Sequence, residues 1–175
     1  GNAIVLSWVA PHEGIPALVE DFEDSQSLAK WTIKNEGDRG WVWKKSEKYA
    51  EPYTGNYSMR LLDAWEDIHQ DEYLISPSFS KGKSLTFYSK STAPQKNNPA
   101  NFYYVEVSSD GGTTWEKIWD LKTDCSVVNK YTRVDIDLSP YMSDDMKIAF
   151  HAYDTNQMGL SYWWHVDDVA VYPQV

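Results

Sequence analysis

Cysteine is almost absent from this chain, since Cys125 is the only one among 175 residues. A single thiol excludes a disulfide within the chain, so the fold must be held together by a packed core. A chain of this length suits one domain of ordinary size, which buries about two thirds of its surface. The sequence therefore predicts a domain that needs no covalent cross-link.

Positive charge is also scarce, with 16 Lys and Arg against 26 Asp and Glu and a net charge of -10. Binding to nucleic acid or to an anionic lipid surface needs clustered basic side chains. No apolar run approaches the roughly 20 residues that span a bilayer. We therefore expect neither a nucleic-acid partner nor insertion into a membrane.

The sequence motifs of the common enzyme classes are missing as well. The chain has no H-E-x-x-H pattern, no G-x-S-x-G pattern and no phosphate-binding glycine loop. Cys125 lies in KTDCSVVN, without a catalytic signature around it. Acids are abundant enough for a glycosidase pair, but nothing marks one pair as special. We expect that the chain is not an enzyme.

Aromatic residues, by contrast, are abundant, with 9 Trp, 12 Tyr and 5 Phe making 15% of the chain. From residue 17 onward, about eleven short strand-like segments recur every 8–15 residues with turn residues between them. This spacing is typical of an all-β sandwich or barrel. We assign residues 17–175 to this domain and residues 1–16 to a leader strand and linker.

Three local patterns interrupt the strands. Residues 25–31 predict one helical turn capped by Asp24 or Ser25, and residues 139–145 predict another turn. Residues 108–115 fit the pattern S-x-D-x-G-x-T-W, known as the Asp box. In it, Asp110 caps backbone N–H groups while the glycines allow a positive φ. We interpret this motif as a rigid turn and not as a catalytic element.

Acidic residues are concentrated in the first and last strands of the domain. The first carries Glu20, Asp21, Glu23 and Asp24, and the last carries Asp167 and Asp168. First and last strands commonly pair in a sandwich, which would bring these carboxylates together. Crowded carboxylates either bind a hard cation such as Ca²⁺ or accept backbone donors and face solvent. Both readings are open at this point.

A few aromatic residues lie in polar loops and not in strands. Trp65 stands among acids, His69 and Gln70, while Tyr49 and Tyr53 flank another polar loop. A ring face that packs on sugar C–H groups, with polar side chains at its rim, is the chemistry of carbohydrate binding. The alternative for Trp65 is a side chain that folds over the end of the sandwich.

Several short motifs recur in an order that resembles a known family. The resemblance rests on the order and spacing of these motifs. The motifs are Asp21-Phe22-Glu23-Asp24, Trp31, Trp41, Trp43, Tyr53, Gly55, Asn56, Ser58, Asp71 to Pro77, Leu85 to Tyr88, Val105 to Ser108, Ile148 to Phe150 and Trp164 to Val169. Over residues 18–173, the chain resembles the cleaved-adhesin, or choice-of-anchor J, domains. These domains occur in secreted bacterial proteins, including the haemagglutinin regions of gingipains, and are similar to MAM domains. The paired cysteines of MAM domains are absent, which favours the bacterial branch.

The resemblance implies a jelly-roll β-sandwich of two antiparallel sheets with about 10–11 strands. It also implies structural calcium, with Glu23, Asp24, Asp167 and Asp168 matching the family's F-E-D and D-D-V segments. No glycan-binding residue transfers, because the ligand-contacting loops of the family vary. Trp65, Tyr53 and Tyr49 therefore stand as ligand-binding candidates on their own chemistry.

The resemblance further implies a non-catalytic extracellular or cell-surface module of a larger secreted bacterial protein. We expect it to bind carbohydrate or a host glycoprotein and to adjoin other domains of the same polypeptide. The alternative is a ligand-free spacer beside a secreted protease or glycosidase. Residues 1–16 resemble a fibronectin type III strand, either as a remnant of such a module or as an extra edge strand.

Overall fold

A computed structural model describes residues 15–36, 38–64, 68–95 and 98–173 of the chain. Residues 1–14 of the predicted leader lie outside these ranges, and so does Trp65. Within the described ranges, no helix is long and apolar enough to cross a membrane.

Eleven strands, one short α-helix and two single 3₁₀ turns occupy the described ranges. They are β1 (Leu18–Glu20), α1 (Ser25–Leu28), β2 (Thr32–Lys34), β3 (Trp41–Lys45), β4 (Tyr57–Leu61), β5 (Asp71–Ile75), β6 (Gly82–Ser91), a 3₁₀ turn (Ala93–Gln95), β7 (Asn101–Ser108), β8 (Glu116–Asp120), β9 (Thr132–Asp137), a 3₁₀ turn (Ser139–Tyr141), β10 (Lys147–Asp154) and β11 (Trp164–Pro173).

The strands form two antiparallel sheets. One has the order β3-β4-β11-β6-β9, with β1 as a sixth strand paired to β11, and the other has the order β2-β5-β10-β7-β8. Leu18 on β1 lies opposite Val171 on β11, so the first and last strands pair as the sequence predicts. The chain crosses repeatedly between the sheets, and the predicted jelly-roll sandwich is confirmed.

Period-2 alternation divides each strand between the core and the outer surface. On β10, Ile148, Phe150 and Ala152 are buried in the core, while His151 and Tyr153 alternate with them on the outer face. The outer face of the five-stranded sheet therefore carries side chains from β5, β7 and β10 side by side, because these strands are neighbours.

Trp164 lies at the centre of the core. Its ring is 5.4 Å from Trp41, 5.8 Å from Phe150 and 6.2 Å from Trp119. Its indole N–H donates to the hydroxyl of Ser89 at 2.9 Å, which satisfies the one polar atom of the side chain. Aromatic packing therefore joins the two sheets, as the abundance of tryptophan in strand segments predicts.

The predicted turns are also present. Asp110 accepts hydrogen bonds from the N–H groups of Thr113 (3.1 Å) and Thr114 (2.9 Å), and from the Thr114 hydroxyl (2.7 Å). These bonds lower the pKa of Asp110 to about 2, with the Thr114 N–H as the largest cause. The Asp box is thus the rigid connection between β7 and β8.

Candidate functional site

Two of the predicted metal ligands, Asp167 and Asp168, meet on the loop of residues 53–57. Asp167 Oδ2 accepts from the N–H of Tyr53 at 2.8 Å and from the N–H of Thr54 at 3.2 Å. The hydroxyl of Thr54 donates to Asp168 at 2.8 and 3.0 Å. The structure therefore brings Tyr53 together with both C-terminal acids.

Glu23, a third predicted ligand, contacts the same loop. Its Oε1 accepts from the N–H groups of Asn56 and Tyr57, both at 2.8 Å. Gly55, with φ +64°, packs directly against the carboxylate, and a Cβ at this position would overlap it. A left-handed glycine is thus needed for Glu23 to reach the loop.

The electrostatics of this acidic cluster (Asp21, Glu23, Asp167 and Asp168) are unfavourable to full ionisation. Burial raises the pKa of Asp167 to about 7, and the negative charge of Asp168 adds to the effect. The pKa of Asp168 is itself raised by burial and by the charges of Asp21 and Glu23, while the Thr54 hydroxyl acts in the opposite direction. A bound cation would offset this repulsion.

Asp24, the fourth predicted ligand, lies at the start of α1. It is the N-cap of α1, and its Oδ1 accepts from the N–H of Gln26 at 2.9 Å. This is the capping role that the sequence left open as an alternative. In the part of the chain that the structure describes, no three His, Cys, Asp or Glu side chains form a group that could hold a metal ion. A cation there would therefore need main-chain oxygens and water in addition to carboxylates.

The two predicted ligand-binding tyrosines, Tyr53 and Tyr49, differ in their exposure and in the side chains that they contact. Tyr53 stacks on Tyr88, with ring centroids 3.6 Å apart, and is 42% exposed. Tyr49 is 76% exposed, and the ammonium group of Lys48 lies 4.9 Å from its ring centroid. Tyr53 is therefore part of a fixed ring pair, whereas Tyr49 is a protruding side chain.

A second aromatic surface covers the outer face of the five-stranded sheet. We call it the aromatic row, and its members are Tyr73 on β5, His151 and Tyr153 on β10, and Phe102 and Tyr104 on β7. In the strand register, His151 lies opposite both Tyr73 and Tyr104, and Tyr153 lies opposite Phe102. The side chains are half-buried apart from His151, which is buried.

The rings of the row stack on one another. The Tyr73 and His151 rings are 3.8 Å apart at 12°, and those of Phe102 and Tyr153 are 4.8 Å apart at 16°. His151 also stacks on Tyr153 at 5.0 Å. Stacked rings cover each other's faces, so the free surface of the row consists mainly of ring edges and tyrosine hydroxyls. Tyr104 differs, because its ring stands at 72° to that of Tyr153.

His151 joins two carboxylates within this surface. Its Nδ1 lies 2.9 Å from Glu106 Oε1, and its Nε2 lies 2.6 Å from Asp71 Oδ1. Each ring nitrogen therefore lies at hydrogen-bonding distance from a carboxylate oxygen, which fixes the orientation of the imidazole. The three side chains form a fixed polar group among the rings, with Asp71 at the more exposed end.

A basic side chain lies at the edge of the row that is next to β8. Lys117 on β8 places its ammonium group 4.5 Å from the Tyr104 ring centroid.

Burial raises the pKa of the Tyr73 hydroxyl to about 12, and the charge of Asp71 contributes further. The Tyr73 hydroxyl is therefore neutral at physiological pH and can both donate and accept hydrogen bonds.

The aromatic row was not among the features predicted from the sequence. Its signal was present in β7, where Phe102, Tyr103 and Tyr104 place large rings on both faces of one strand. A strand with one face in water usually alternates apolar and polar residues, so rings on both faces indicate a second contact surface. Tyr103 is the core residue of the three, and the other two belong to the row.

Comparison with known proteins supports the fold. No family model matches the sequence, and no curated protein does. Among solved structures, the K2 cleaved adhesin domain of Lys-gingipain (Kgp) superposes with a TM-score of 0.67 at 17% identity, over 90% of this chain and 98% of that chain. The chain has the fold of the cleaved adhesin domains. The resemblance drawn from the sequence motifs is confirmed at the level of the fold.

Carbohydrate-binding modules share this fold. TmCBM61, solved in complex with β-1,4-galactotriose, superposes with a TM-score of 0.61 at 12% identity over 92% of this chain and all of that one. The CBM22-1 xylan-binding domain of Paenibacillus barcinonensis Xyn10C gives a TM-score of 0.52 at 12% identity, over 95% of this chain and all of that one. This adhesin-like sandwich thus has an architecture on which other proteins bind glycans.

Proposed function

We propose that this chain is a non-catalytic module that binds carbohydrate through the aromatic row. The carrying observation is the row itself, in which four aromatic rings lie beside a fixed carboxylate–imidazole–carboxylate group whose imidazole is the fifth ring. Binding sites for small molecules combine apolar surface with a few precisely placed polar groups. The row offers both, because tyrosine contributes an apolar ring and a hydroxyl from one side chain.

The geometry of the row defines how a glycan would bind. The rings lie on three neighbouring strands spaced about 4.8 Å apart, so the row extends roughly 10 Å across the sheet. That length suits a short oligosaccharide better than a single sugar. Asp71 and Glu106 would accept hydrogen bonds from sugar hydroxyls, while the hydroxyls of Tyr104 and Tyr153 would donate or accept. Ring edges would contact sugar C–H groups.

The adhesin-like fold supports a matching cellular context. We propose that the chain works outside the cell or at the cell surface, as one module of a larger secreted bacterial protein. Its partners would be a glycan or a host glycoprotein, and the flanking domains of the same polypeptide.

A glycan array that includes β-1,4-galactotriose and xylan oligosaccharides, followed by calorimetry, tests the binding proposal. We expect Tyr153→Ala to lower the affinity for the bound glycan at least tenfold, because it removes a ring that stacks with both His151 and Phe102. The matched variant Tyr49→Ala should leave affinity unchanged, since Tyr49 lies outside the row.

If Tyr49→Ala lowers the affinity and Tyr153→Ala leaves it unchanged, the glycan binds at the loop tyrosines predicted from the sequence and not at the aromatic row. The absence of any glycan binding at millimolar concentration by the folded protein would contradict the proposal and support the ligand-free spacer.

We also propose that the acidic cluster holds a structural calcium ion. The supporting observation is that Glu23 and Asp168 converge on the 53–57 loop, where burial and then the neighbouring negative charges raise the pKa of Asp168. Calcium takes six to eight oxygen ligands, so loop carbonyls and water would complete the set. When bound, the ion would neutralise the repulsion between the two ends of the domain.

Thermal unfolding in EGTA and in 1 mM CaCl₂ tests the calcium site. An ion that binds only the folded state raises the melting temperature. We expect this rise in the wild type and in Asp144→Asn, which removes an exposed carboxylate elsewhere. The rise should disappear in Glu23→Gln and Asp168→Asn. Equal melting temperatures with and without calcium in the wild type would overturn the proposal.

A further inference from the structure

A groove crosses the outer face of the six-stranded sheet, on the side of the sandwich opposite the aromatic row. Its volume is about 450 Å³, within the range of roughly 300–1,000 Å³ that is typical of small-molecule sites. Strands β1, β11, β6 and β9 all contribute to its lining. The groove therefore depends on the pairing of the first strand, β1, with the last strand, β11.

Small side chains form the floor of the groove. The strand register places Val19, Ala170 and Thr86 side by side on three adjacent strands. Val19 is 64% exposed and forms the solvent-facing end of this floor, while Thr86 and Ala170 are buried. The floor is thus a shallow, partly apolar strip that runs across the strands.

Two tyrosines flank this strip. Tyr88 follows Thr86 by two residues and Tyr172 follows Ala170 by two, and because β6 and β11 are antiparallel, the two rings lie on opposite sides of the floor. Tyr53 stacks on Tyr88 at 3.6 Å, which fixes that ring in place. The groove therefore has aromatic side chains on both sides.

Charged groups of both signs lie at the rim. Arg133 lies opposite Tyr88 in the register, and the Asp135 carboxylate holds its guanidinium at 3.0–3.2 Å. Asp21 and Asp168 line the other end. A sugar ring has an apolar C–H face and an edge of hydroxyls, so it matches an apolar floor with charged hydrogen-bonding groups at the rim.

We propose that this groove is a second saccharide-binding site, separate from the aromatic row. The two sites lie on opposite sheets and face away from each other. One molecule of this protein can then hold two glycan chains at once, and cross-link them without forming an oligomer.

Calorimetry with β-1,4-galactotriose and xylan oligosaccharides, together with agglutination of beads coated with the same sugars, tests the second site. The key variant is Val19→Arg, which fills the floor from an exposed position and removes no core side chain. Met142→Arg is its control, because Met142 is an exposed methionine outside the groove lining. Light scattering confirms that each protein is monomeric, and circular dichroism confirms that it is folded.

We expect the wild type and Met142→Arg to bind two saccharides per molecule and to agglutinate the beads. Val19→Arg and Tyr153→Ala should each bind one saccharide and fail to agglutinate. If Val19→Arg behaves as the wild type in both assays, or if no sugar binds at millimolar concentration, the groove is not a saccharide site. If Val19→Arg alone abolishes all binding, the groove is the site and the aromatic row is not.

Discussion

Among single residues, Glu72 is a carboxylic acid held in a buried position. It lies on β5 with its side chain fully buried, and its Oε2 accepts from the N–H of Glu36 at 2.9 Å. Burial raises its pKa to about 8, and the nearby charges of Glu36 and Asp71 add to the effect. A single position thus couples the stability of the sandwich to pH.

The direction of that coupling follows from proton binding. The pKa of Glu72 is about 8 in the folded state and 4.5 in the unfolded chain, so between these values the folded state binds more protons. The contribution of Glu72 to the free energy of unfolding then falls as pH rises from 4.5 to 8. Glu72→Gln removes this titration, and we expect the wild type to lose a few kcal/mol relative to the variant over that range.

Denaturant unfolding at pH 5.5 and pH 8.0 measures this difference. Glu116→Gln, which changes an exposed carboxylate on β8, is the matched control and should follow the wild type. Parallel pH profiles for the wild type and Glu72→Gln would show that Glu72 does not titrate in this window.

Among the elements, the 53–57 loop connects acids that follow the first strand with acids on the last strand. It donates backbone hydrogen bonds to Asp167 and Glu23, and a side-chain hydrogen bond to Asp168. The acids come from opposite ends of the domain, so the loop ties β1 to β11 beyond their strand pairing. Its conformation depends on Gly55, whose positive φ brings the backbone against Glu23.

Gly55→Ala should therefore destabilise the domain by about 2–3 kcal/mol. Part of the loss is the strain of a positive φ in alanine, and the rest is displacement of the Glu23 carboxylate. Gly112→Ala also adds a Cβ at positive φ, but there the added atom would meet the Trp115 ring at an ordinary 3.5 Å. Urea unfolding should show a smaller loss for Gly112→Ala, and equal losses would contradict the role assigned to Glu23.

For the whole molecule, the aromatic core centred on Trp164 is the feature that holds the two sheets together. Trp164 belongs to the six-stranded sheet, whereas its partners Phe150, Tyr103 and Trp119 belong to the five-stranded sheet. The two sheets therefore share one continuous core. Because the buried hydrophobic residues in the described part of the chain form one cluster, we expect the two sheets to unfold together in one transition.

Trp164→Ala should lower the free energy of unfolding by about 3–5 kcal/mol, since it leaves a large cavity between the sheets. The neighbouring Trp163→Ala should cost about 1 kcal/mol or less, because Trp163 is half-exposed and packs mainly on His165. Fluorescence and circular dichroism should give coincident unfolding curves for both. Separate transitions for the two probes would contradict a single shared core.

The sequence predicted the fold because its signals are local. Strand alternation, the Asp box and the Asp24 cap each depend on residues a few positions apart, and the structure confirms all three. The proximity of Glu23 to Asp167 and Asp168 was also predictable from the sequence, because the first and last strands commonly pair in sandwiches. Calcium at that point stays a prediction.

What the sequence determined by itself is the kind of domain: an acidic, disulfide-free β-sandwich with an aromatic core. Only the tertiary structure decided which aromatic residues share a surface. Tyr73, Phe102 and His151 are far apart in the chain, and they meet because the sheet places β5, β10 and β7 side by side in one register. Register between distant strands depends on how the whole core packs, and no local pattern encodes it. The same packing gathers Val19, Thr86 and Ala170 into a groove.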